Sequence, residues 1–338
     1  MVAGLPKRKH TRQKNKEQVM TDKSLYCSEP YNTLYIEHTN KGKMAPCCAF
    51  YPTIDPNEYD TELQKVKEDL HKGVWPTNCV SCKQHEEKKI DSRRLTSGQQ
   101  KIHPHIKNVE INLGNLCNLK CAICNPKFSS RWLSDAKHFA EFDSNGFYDI
   151  PNSSVKDVSK HIDWHSVRYL HFNGGEPLLN NQHLRYLMRV INQDQTEVYY
   201  NTNGTTKVSD AVFNIWTNFN RVKLIFSIDD VGQRFEYQRY PAKWKEIENN
   251  LLWFKTHAPD NVMFGINRTV SHFNKPYLKD LDEWFEANFG HSKNGIKNEF
   301  TNQLAWGPAS LQNTREQFVK FVQKLNAVRK ISYYEPIE

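Results

Sequence analysis

Cysteine is absent from this 338-residue sequence after position 124, although eight cysteines occur up to that point. No apolar run approaches the roughly 20 residues that a membrane-spanning helix requires. The first ten residues, which include the basic run Lys7–Lys9, also lack the apolar stretch of a secretory signal. These absences argue against a secreted disulfide framework. They predict a cytoplasmic protein without membrane contact, in which clustered cysteines serve metal or redox chemistry.

Length and composition are those of an ordinary soluble protein. With 38% hydrophobic and 25% charged residues, the chain can bury a large core in one barrel-type domain with an added module, or in two domains. The net charge is +8, and basic residues are concentrated between Lys7 and Lys16. We predict a solvated, disordered tail over residues 1–24, and contact of this tail with nucleic acid is the alternative.

Three cysteines lie close together after a strand-like run, Val109–Leu113. Cys117, Cys121 and Cys124 form the pattern C-x3-C-x2-C. Three thiolates from one loop leave one iron of a four-iron cluster without a protein ligand, and such an iron can bind and reduce a small molecule. A structural zinc site uses four ligands, and no fourth Cys or His lies nearby at ligand spacing. The loop therefore favours an iron–sulfur cluster, with a partial zinc site or inert thiols as the alternatives.

This loop resembles the cluster loop of the radical S-adenosylmethionine (SAM) enzymes. The resemblance implies a [4Fe-4S] cluster whose open iron chelates the amine and carboxylate of the methionine part of SAM. It also implies reductive cleavage of SAM to a 5′-deoxyadenosyl radical, which removes a hydrogen atom from the substrate. Many family members carry an aromatic residue just before the third cysteine. Ile123 stands there in this chain and is expected to contact the adenine.

Beyond residue 107, short β-rich runs alternate with longer helical stretches, which is typical of parallel βα units. Six such pairs predict an α/β protein with a partial (β/α)6 barrel, whose functional loops gather at the carboxyl ends of the strands. We predict three parts: the tail 1–24, a cysteine-rich auxiliary module 25–100 and the barrel 101–338. The predicted strands are Val109–Leu113, Val167–Phe172, Glu197–Thr202, Val222–Ile228, Val262–Ile266 and Asn302–Trp306. The predicted helices are Thr61–Leu70, Ser129–Phe142, Asn181–Ile191, Val208–Trp216, Lys243–Thr256, Tyr277–Phe289 and Thr314–Val328.

A glycine-rich turn follows the second predicted strand of the barrel. Gly174 and Gly175 allow the backbone to approach a ligand closely, and the carboxylate of Glu176 is suited to accept a hydrogen bond from an ammonium group. With Pro177 these residues resemble the Gly-Gly-Glu-Pro segment that binds the methionine amine in the radical SAM enzymes. A plain strand-to-helix turn is the alternative.

The next strands end in polar residues that resemble the family's other cofactor contacts. Asn203 follows the third strand, and Ser227 and Asp229 point to one face if the fourth strand continues to residue 229. The resemblance implies that these two residues bind the ribose. Arg239 is a candidate for the cofactor's carboxylate, with a surface ion pair as the alternative. Ile266, on the fifth strand, resembles an apolar contact to the adenine.

A second group of cysteines precedes the predicted barrel. Cys27, Cys47, Cys79 and Cys82 provide four thiolates, enough to close a cluster completely, and Cys48 is left over or replaces Cys47. The spacing resembles the SPASM or twitch type of auxiliary module, which implies a second [4Fe-4S] cluster for electron transfer or for scaffolding of the pocket. A tetrahedral zinc site is the alternative.

Together these motifs predict a radical SAM oxidoreductase or maturase that abstracts hydrogen from a peptide or protein substrate. An external electron donor such as ferredoxin or flavodoxin is the expected partner. Three alternatives stay open: the same chemistry on a small-molecule metabolite, modification of RNA, and a non-catalytic iron–sulfur binding protein. The sequence does not choose between the substrates.

Overall fold

The structure is a computed structural model and describes residues 25–38, 42–139, 161–290, 299–305 and 309–330. The predicted basic tail lies outside these residues. One eight-stranded sheet runs through the described chain. Its strands are β1 (Thr33–Glu37), β2 (Lys43–Ala45), β3 (Asn108–Asn112), β4 (Tyr169–Asn173), β5 (Glu197–Thr202), β6 (Arg221–Ser227), β7 (Val262–Val270) and β8 (Glu299–Leu304). Their order in the sheet is β2-β1-β3-β4-β5-β6-β7-β8.

All strand pairs except β1 with β2 are parallel. Strands β3 to β8 correspond to the six predicted strands, so the α/β class is confirmed, whereas closure into a barrel and the division into domains stay predictions. Strands β1 and β2 were not predicted. They lie in the cysteine-rich segment, and β1 joins the sheet directly because Leu34 and Ile36 pair in register with Val109 and Ile111 of β3.

The helices connect these strands. They are α1 (Glu29–Asn32), α2 (Tyr59–His71), α3 (Val80–Glu87), α4 (Arg93–Thr96), α5 (Gln182–Leu187), α6 (Asp210–Trp216), α7 (Gly232–Gln238), α8 (Trp244–His257), α9 (Leu278–Phe289) and α10 (Arg315–Arg329). Helix α9 buries Leu281, Phe285 and Phe289, which repeat every four residues and so share one face. Helix α10 begins at a capping box formed by Thr314 and Gln317.

The predicted helix over Ser129–Phe142 is wrong for the part that the structure describes. Two short 3-10 turns, Ser130–Trp132 and Ala136–His138, replace it. The reason is that its side chains bind the cysteine loop instead of facing one helix stripe. The Ser129 hydroxyl donates to the carbonyl of Leu119 at 2.6 Å.

The sheet has one apolar and one polar face. On β4 and β5, Leu170, Phe172, Val198 and Tyr200 are buried, whereas the residues between them are partly accessible. The buried set packs against the helices in the main hydrophobic core. The other face carries the polar side chains of the candidate site. Among the described helices, none is long and apolar enough to cross a membrane.

Candidate active site

A cavity of about 460 Å³ lies at the carboxyl ends of the central strands. The three cysteines of the loop that follows β3 line one side of it, together with polar ends of β4, β5 and β6. The lining residues are Tyr35, Cys48, Cys117, Leu119, Cys121, Ile123, Cys124, Phe128, Ser129, Asn173, Gly174, Gly175, Asn201, Asn203, Ser227, Arg239 and Gln303. Most of the residues predicted from the sequence for the cofactor therefore meet at one place.

The cysteine loop is held in shape by backbone hydrogen bonds to the end of α7 and to the segment that follows it. Lys120 N–H donates to the carbonyl of Tyr240 at 2.6 Å, and Ala122 N–H donates to the carbonyl of Gln238 at 2.7 Å. The indole of Trp132 donates to the carbonyl of Cys121 at 3.1 Å. These contacts fix the backbone on which all three thiols are carried.

Gly174 and Gly175 lie against the backbone of the cysteine loop. Gly175 N–H donates to the carbonyl of Gly114 at 2.7 Å, and Glu176 N–H donates to that of Leu116 at 2.8 Å. A Cβ atom at Gly175 would stand 2.1 Å from the Leu116 carbonyl oxygen. Gly174 has φ +129°, a conformation open to glycine alone among common residues. The two glycines therefore allow the cysteine loop to pack closely against the turn, and they also line the cavity.

The Cys121 thiol is buried and those of Cys117 and Cys124 are partly buried, so all three are hard to ionise without a metal. Burial raises the pKa of Cys121 to about 12, although the positive charge of Arg239 opposes this shift. Burial also raises the pKa of Cys117 and of Cys124. Metal binding deprotonates such thiols, so their affinity for a cluster depends on pH.

The three thiols share a cavity but do not converge on one point. Among the described residues, no group of three or more His, Cys, Asp or Glu side chains is placed to hold a single metal ion. A four-iron cluster takes each thiolate on a different iron, so a shared cavity with separated thiols fits this donor set. Cys117, Cys121 and Cys124 would hold the cluster.

The Glu176 carboxylate accepts hydrogen bonds from neighbouring groups of the chain. Its side chain is only 1% exposed and does not line the cavity. One carboxylate oxygen accepts from Leu178 N–H at 3.1 Å and from the Thr202 hydroxyl at 2.8 Å, and the other accepts from Asn203 N–H at 2.6 Å. Burial raises its pKa to about 7, against these hydrogen bonds. In this structure the carboxylate ties the ends of β4 and β5 together, and its contact with an ammonium group stays a prediction.

Ser227 and Asp229 do not share a face. Strand β6 ends at Ser227, so the alternation that would place Asp229 beside it does not continue. Ser227 lines the cavity, whereas Asp229 is 1% exposed and accepts from Arg239 Nε at 2.7 Å and Nη2 at 3.0 Å. In this structure the Asp229 carboxylate is bound by Arg239, and its contact with the ribose stays a prediction.

Arg239 combines the two roles between which the sequence did not decide. Its ion pair with Asp229 is buried, not on the surface, yet Arg239 also lines the cavity. The Asp229 carboxylate occupies Nε and Nη2 and raises the pKa of the guanidinium, which burial alone would lower. Nη1 donates no hydrogen bond to the described residues. This nitrogen is available to a ligand.

Of the remaining predicted contacts, two line the cavity and one lies in the hydrophobic core. Asn203 lines the cavity, and its amide donates to Asn118 Oδ1 at 3.0 Å. Ile123 also lines the cavity, as expected for an apolar contact. Ile266 does not, because it belongs to the buried face of β7 and to the core, with 1% exposure. The contact of Ile266 with the adenine stays a prediction.

The second cysteine group forms a separate small cavity of about 20 Å³, which admits about one water-sized sphere. Cys27, Cys47, Cys79 and Cys82 all line it. Burial raises the pKa of Cys27 to about 11 and that of Cys79 to about 12. A four-iron cluster at this place requires the cavity to enlarge, and among the described residues no three of these thiols are placed to hold a single metal ion.

Adjacent Cys47 and Cys48 lie in different cavities. Cys47 lines the small cavity, whereas Cys48 lines the cavity of the loop cysteines. Arg93 lies between them, because it lines the small cavity while its Nη1 donates to Cys48 Sγ at 3.1 Å. It also forms ion pairs with the buried carboxylates of Glu29 and Glu110.

Several cavity residues were not predicted from the sequence. Asn173 and Asn201 end β4 and β5 on the polar face, and the period of two along each strand was a usable signal for both. Tyr35 and Gln303 come from β1 and β8, and no local pattern links them to the cysteine loop. Their place depends on the strand order.

The comparison with protein families agrees with an iron–sulfur site. Residues 111–225 match the family described as a 4Fe-4S single cluster domain. No curated protein matches the chain. Among solved structures, anSMEcpe with bound AdoMet is 18% identical with a TM-score of 0.39, over 64% of this chain and 58% of that chain.

Two further solved structures are similar at the same level. The complex of anSMEcpe with AdoMet and the Cp18Cys peptide is 17% identical with a TM-score of 0.37, over 65% of this chain and 60% of that chain. Streptococcus suis SuiB is 10% identical with a TM-score of 0.39, over 93% of this chain and 71% of that chain. The match spans less than two thirds of the anSMEcpe chains. Residues 111–225, the part of the chain that matches the 4Fe-4S single cluster domain, contain both the cysteine loop and the Gly-Gly-Glu-Pro turn.

Proposed function

We propose that this protein reductively cleaves SAM and uses the resulting radical to abstract hydrogen from a peptide or protein substrate. One observation supports the proposal above all others. The loop that carries Cys117, Cys121 and Cys124 is held against Gly174 and Gly175 beside a 460 Å³ cavity, at the carboxyl ends of parallel strands. Ligand sites gather at this edge in parallel α/β folds.

Cys117, Cys121 and Cys124 would hold the [4Fe-4S] cluster, which would supply the electron for reductive cleavage of SAM to methionine and the 5′-deoxyadenosyl radical. The protein's own groups bind and orient the cofactor. Arg239 Nη1 offers a donor to the methionine carboxylate, and Asn203 and Ser227 offer polar contacts to the nucleoside. Ile123 offers an apolar contact to the adenine.

The residues that line the cavity favour an uncharged substrate that is rich in amide groups. Asn173, Asn201 and Gln303 each present a neutral amide, which can donate to and accept from a peptide group. Arg239 is the one charged residue among those that line the described cavity, and Asp229 already pairs with it. A peptide therefore fits the wall better than a carboxylate or phosphate metabolite does. RNA modification has no support among the described residues.

The proposal is tested by anaerobic reconstitution of the full chain with iron and sulfide. Addition of SAM and a strong low-potential reductant is expected to release 5′-deoxyadenosine and methionine in equal amounts, measured by liquid chromatography. Reactions without reductant serve as the control. Iron-loaded protein that binds SAM without releasing either product would instead support a non-catalytic iron–sulfur protein.

The second cysteine group provides a matched pair of variants. We propose that Cys27, Cys47, Cys79 and Cys82 hold an auxiliary [4Fe-4S] cluster, so the wild-type chain is expected to contain about eight iron atoms. Cys47→Ser is expected to lower this to about four, because Cys47 lines the small cavity. Cys48→Ser is expected to keep about eight, because Cys48 lies in the other cavity.

Iron, sulfide and zinc analyses on oxygen-free protein decide this prediction. About four iron atoms with one zinc in the wild type would contradict the auxiliary cluster but not SAM cleavage. Loss of metal in Cys48→Ser with full retention in Cys47→Ser would show that the two cysteines have been assigned in the wrong order.

A further inference from the structure

We infer that Arg329, in the last turn of α10, restrains the cysteine loop by hydrogen bonds. We also infer that its positive charge compensates the negative charge of the cluster bound there. This inference rests on the cluster binding proposed above. Arg329 is 6% exposed, and its Nη2 donates to the carbonyl of Lys120, between the first and second cysteines, at 2.5 Å. Its Nη1 donates to the carbonyl of Tyr237 at 2.5 Å. One side chain thus joins α10 and α7 to the loop.

The guanidinium of Arg329 has no carboxylate within ion-pair distance among the described residues. Asp135 pairs with Lys120, and Asp229 pairs with Arg239. The Nε–H of Arg329 is buried and finds no acceptor in the described part of the chain. Burial lowers the pKa of Arg329 only to about 10, so the group stays cationic at neutral pH. A buried cation of this kind is costly unless a negative charge compensates it.

Aromatic rings replace the missing anion only in part. The guanidinium carbon lies 5.9 Å from the ring centre of Trp132, 5.4 Å from that of Tyr237 and 5.1 Å from that of Tyr240. Trp132 in turn donates to the carbonyl of Cys121. The guanidinium of Arg329 and the Trp132 ring beside it therefore both contact the loop that carries the thiols.

The complementary charge is the cluster itself. A four-iron cluster on three thiolates is anionic and becomes more negative when it is reduced, and net charge and nearby hydrogen bonds set its potential. A buried cation stabilises the reduced form more than the oxidised form, because the low local dielectric strengthens the attraction. Arg329 should therefore raise the reduction potential of the cluster, and as a positioning residue it should also restrain residues 118–123.

The test compares Arg329→Gln and Arg329→Lys with Arg315→Gln, which removes an exposed charge from the same helix. Reconstituted full-length protein is titrated with reductant and followed by electron paramagnetic resonance. In R329Q the ratio of reduced to oxidised cluster at a fixed potential is expected to fall about tenfold, equivalent to about 59 mV for one electron. R315Q is expected to match the wild type.

A second measurement needs no cluster. Amide hydrogen exchange over residues 118–123 of the metal-free protein is expected to be about tenfold faster in R329Q and R329K, since lysine lacks the two-armed donor geometry. R329K is expected to keep the wild-type potential because it keeps the charge.

The outcomes separate the two proposals. R329Q with the potential and exchange of R315Q would overturn the role of Arg329 while leaving SAM cleavage intact. If the wild-type chain takes up no cluster, both the proposed function and the charge compensation by Arg329 are wrong. The amide exchange comparison on the metal-free protein would still test whether Arg329 restrains the loop. If R329Q does not fold, R329K provides the test. Amide exchange in R329K at the wild-type rate would contradict the restraint of the loop by Arg329. A reduction potential in R329K below that of the wild type would contradict the charge compensation.

Discussion

Simultaneous replacement of Cys117, Cys121 and Cys124 by serine is expected to abolish release of 5′-deoxyadenosine. A serine hydroxyl is a hard and weakly acidic donor, so three serines hold an iron–sulfur cluster far less well than three thiolates. With no cluster, no electron reaches SAM, and the rate should fall to the background of the reductant alone. The measurement is product release after anaerobic reconstitution, normalised to protein.

The fold of this variant is expected to survive. The three thiols are neutral in the metal-free protein because burial raises the pKa of each. Serine is close to cysteine in size, so the thermal midpoint of the metal-free variant should stay near that of the metal-free wild type. SAM cleavage that persists in a folded, serine-substituted chain would refute the assignment of the loop.

Gly175→Ala is expected to weaken binding of the loop cluster although it changes no ligand. The added Cβ would lie 2.1 Å from the carbonyl oxygen and 2.5 Å from the carbonyl carbon of Leu116, which is the residue before Cys117. Backbone atoms do not yield as a flexible side chain does, so the cysteine loop must shift. We expect a loss of about 3 kcal/mol in the free energy of unfolding and at least about a tenfold drop in SAM cleavage.

Gly232→Ala is the matched control for this prediction. Gly232 has φ +60°, but a Cβ there would meet no atom within 4 Å. The variant should lose about 1 kcal/mol from backbone strain and keep its iron and its activity. Chemical denaturation and iron analysis measure both effects. Equal iron content and activity in Gly175→Ala and in the wild type would show that the glycine turn does not support the loop.

Patterns confined to one segment were read correctly from the sequence. The six strands β3 to β8 lie within a few residues of their predicted positions, because alternation and β-branched runs are local signals. The three cysteines of the loop and the glycines of the turn meet at one cavity, since carboxyl ends of parallel strands share one edge. The helix over Ser129–Phe142 failed because tertiary hydrogen bonds to the loop outweighed helix propensity.

Side-chain direction at the strand ends was not predictable in the same way. Glu176 and Asp229 are the predicted cofactor contacts of their motifs, and in the structure both carboxylates accept hydrogen bonds from groups of the chain itself. Buried carboxylates require such partners, and the identity of the partners depends on which loops pack together. Thr202, Asn203 and Arg239 became those partners only after folding.

The sequence by itself determined the cysteine spacing, the parallel βα order and the place of the glycine turn, because each is fixed by neighbouring residues along the chain. Only the tertiary structure decided that Cys47 and Cys48 serve different cavities and that Arg329 reaches the carbonyl of Lys120. The first of these findings separates two adjacent residues, and the second brings together two residues that are far apart in the chain. They follow from how the sheet brings its connecting segments together, and no local period carries that information.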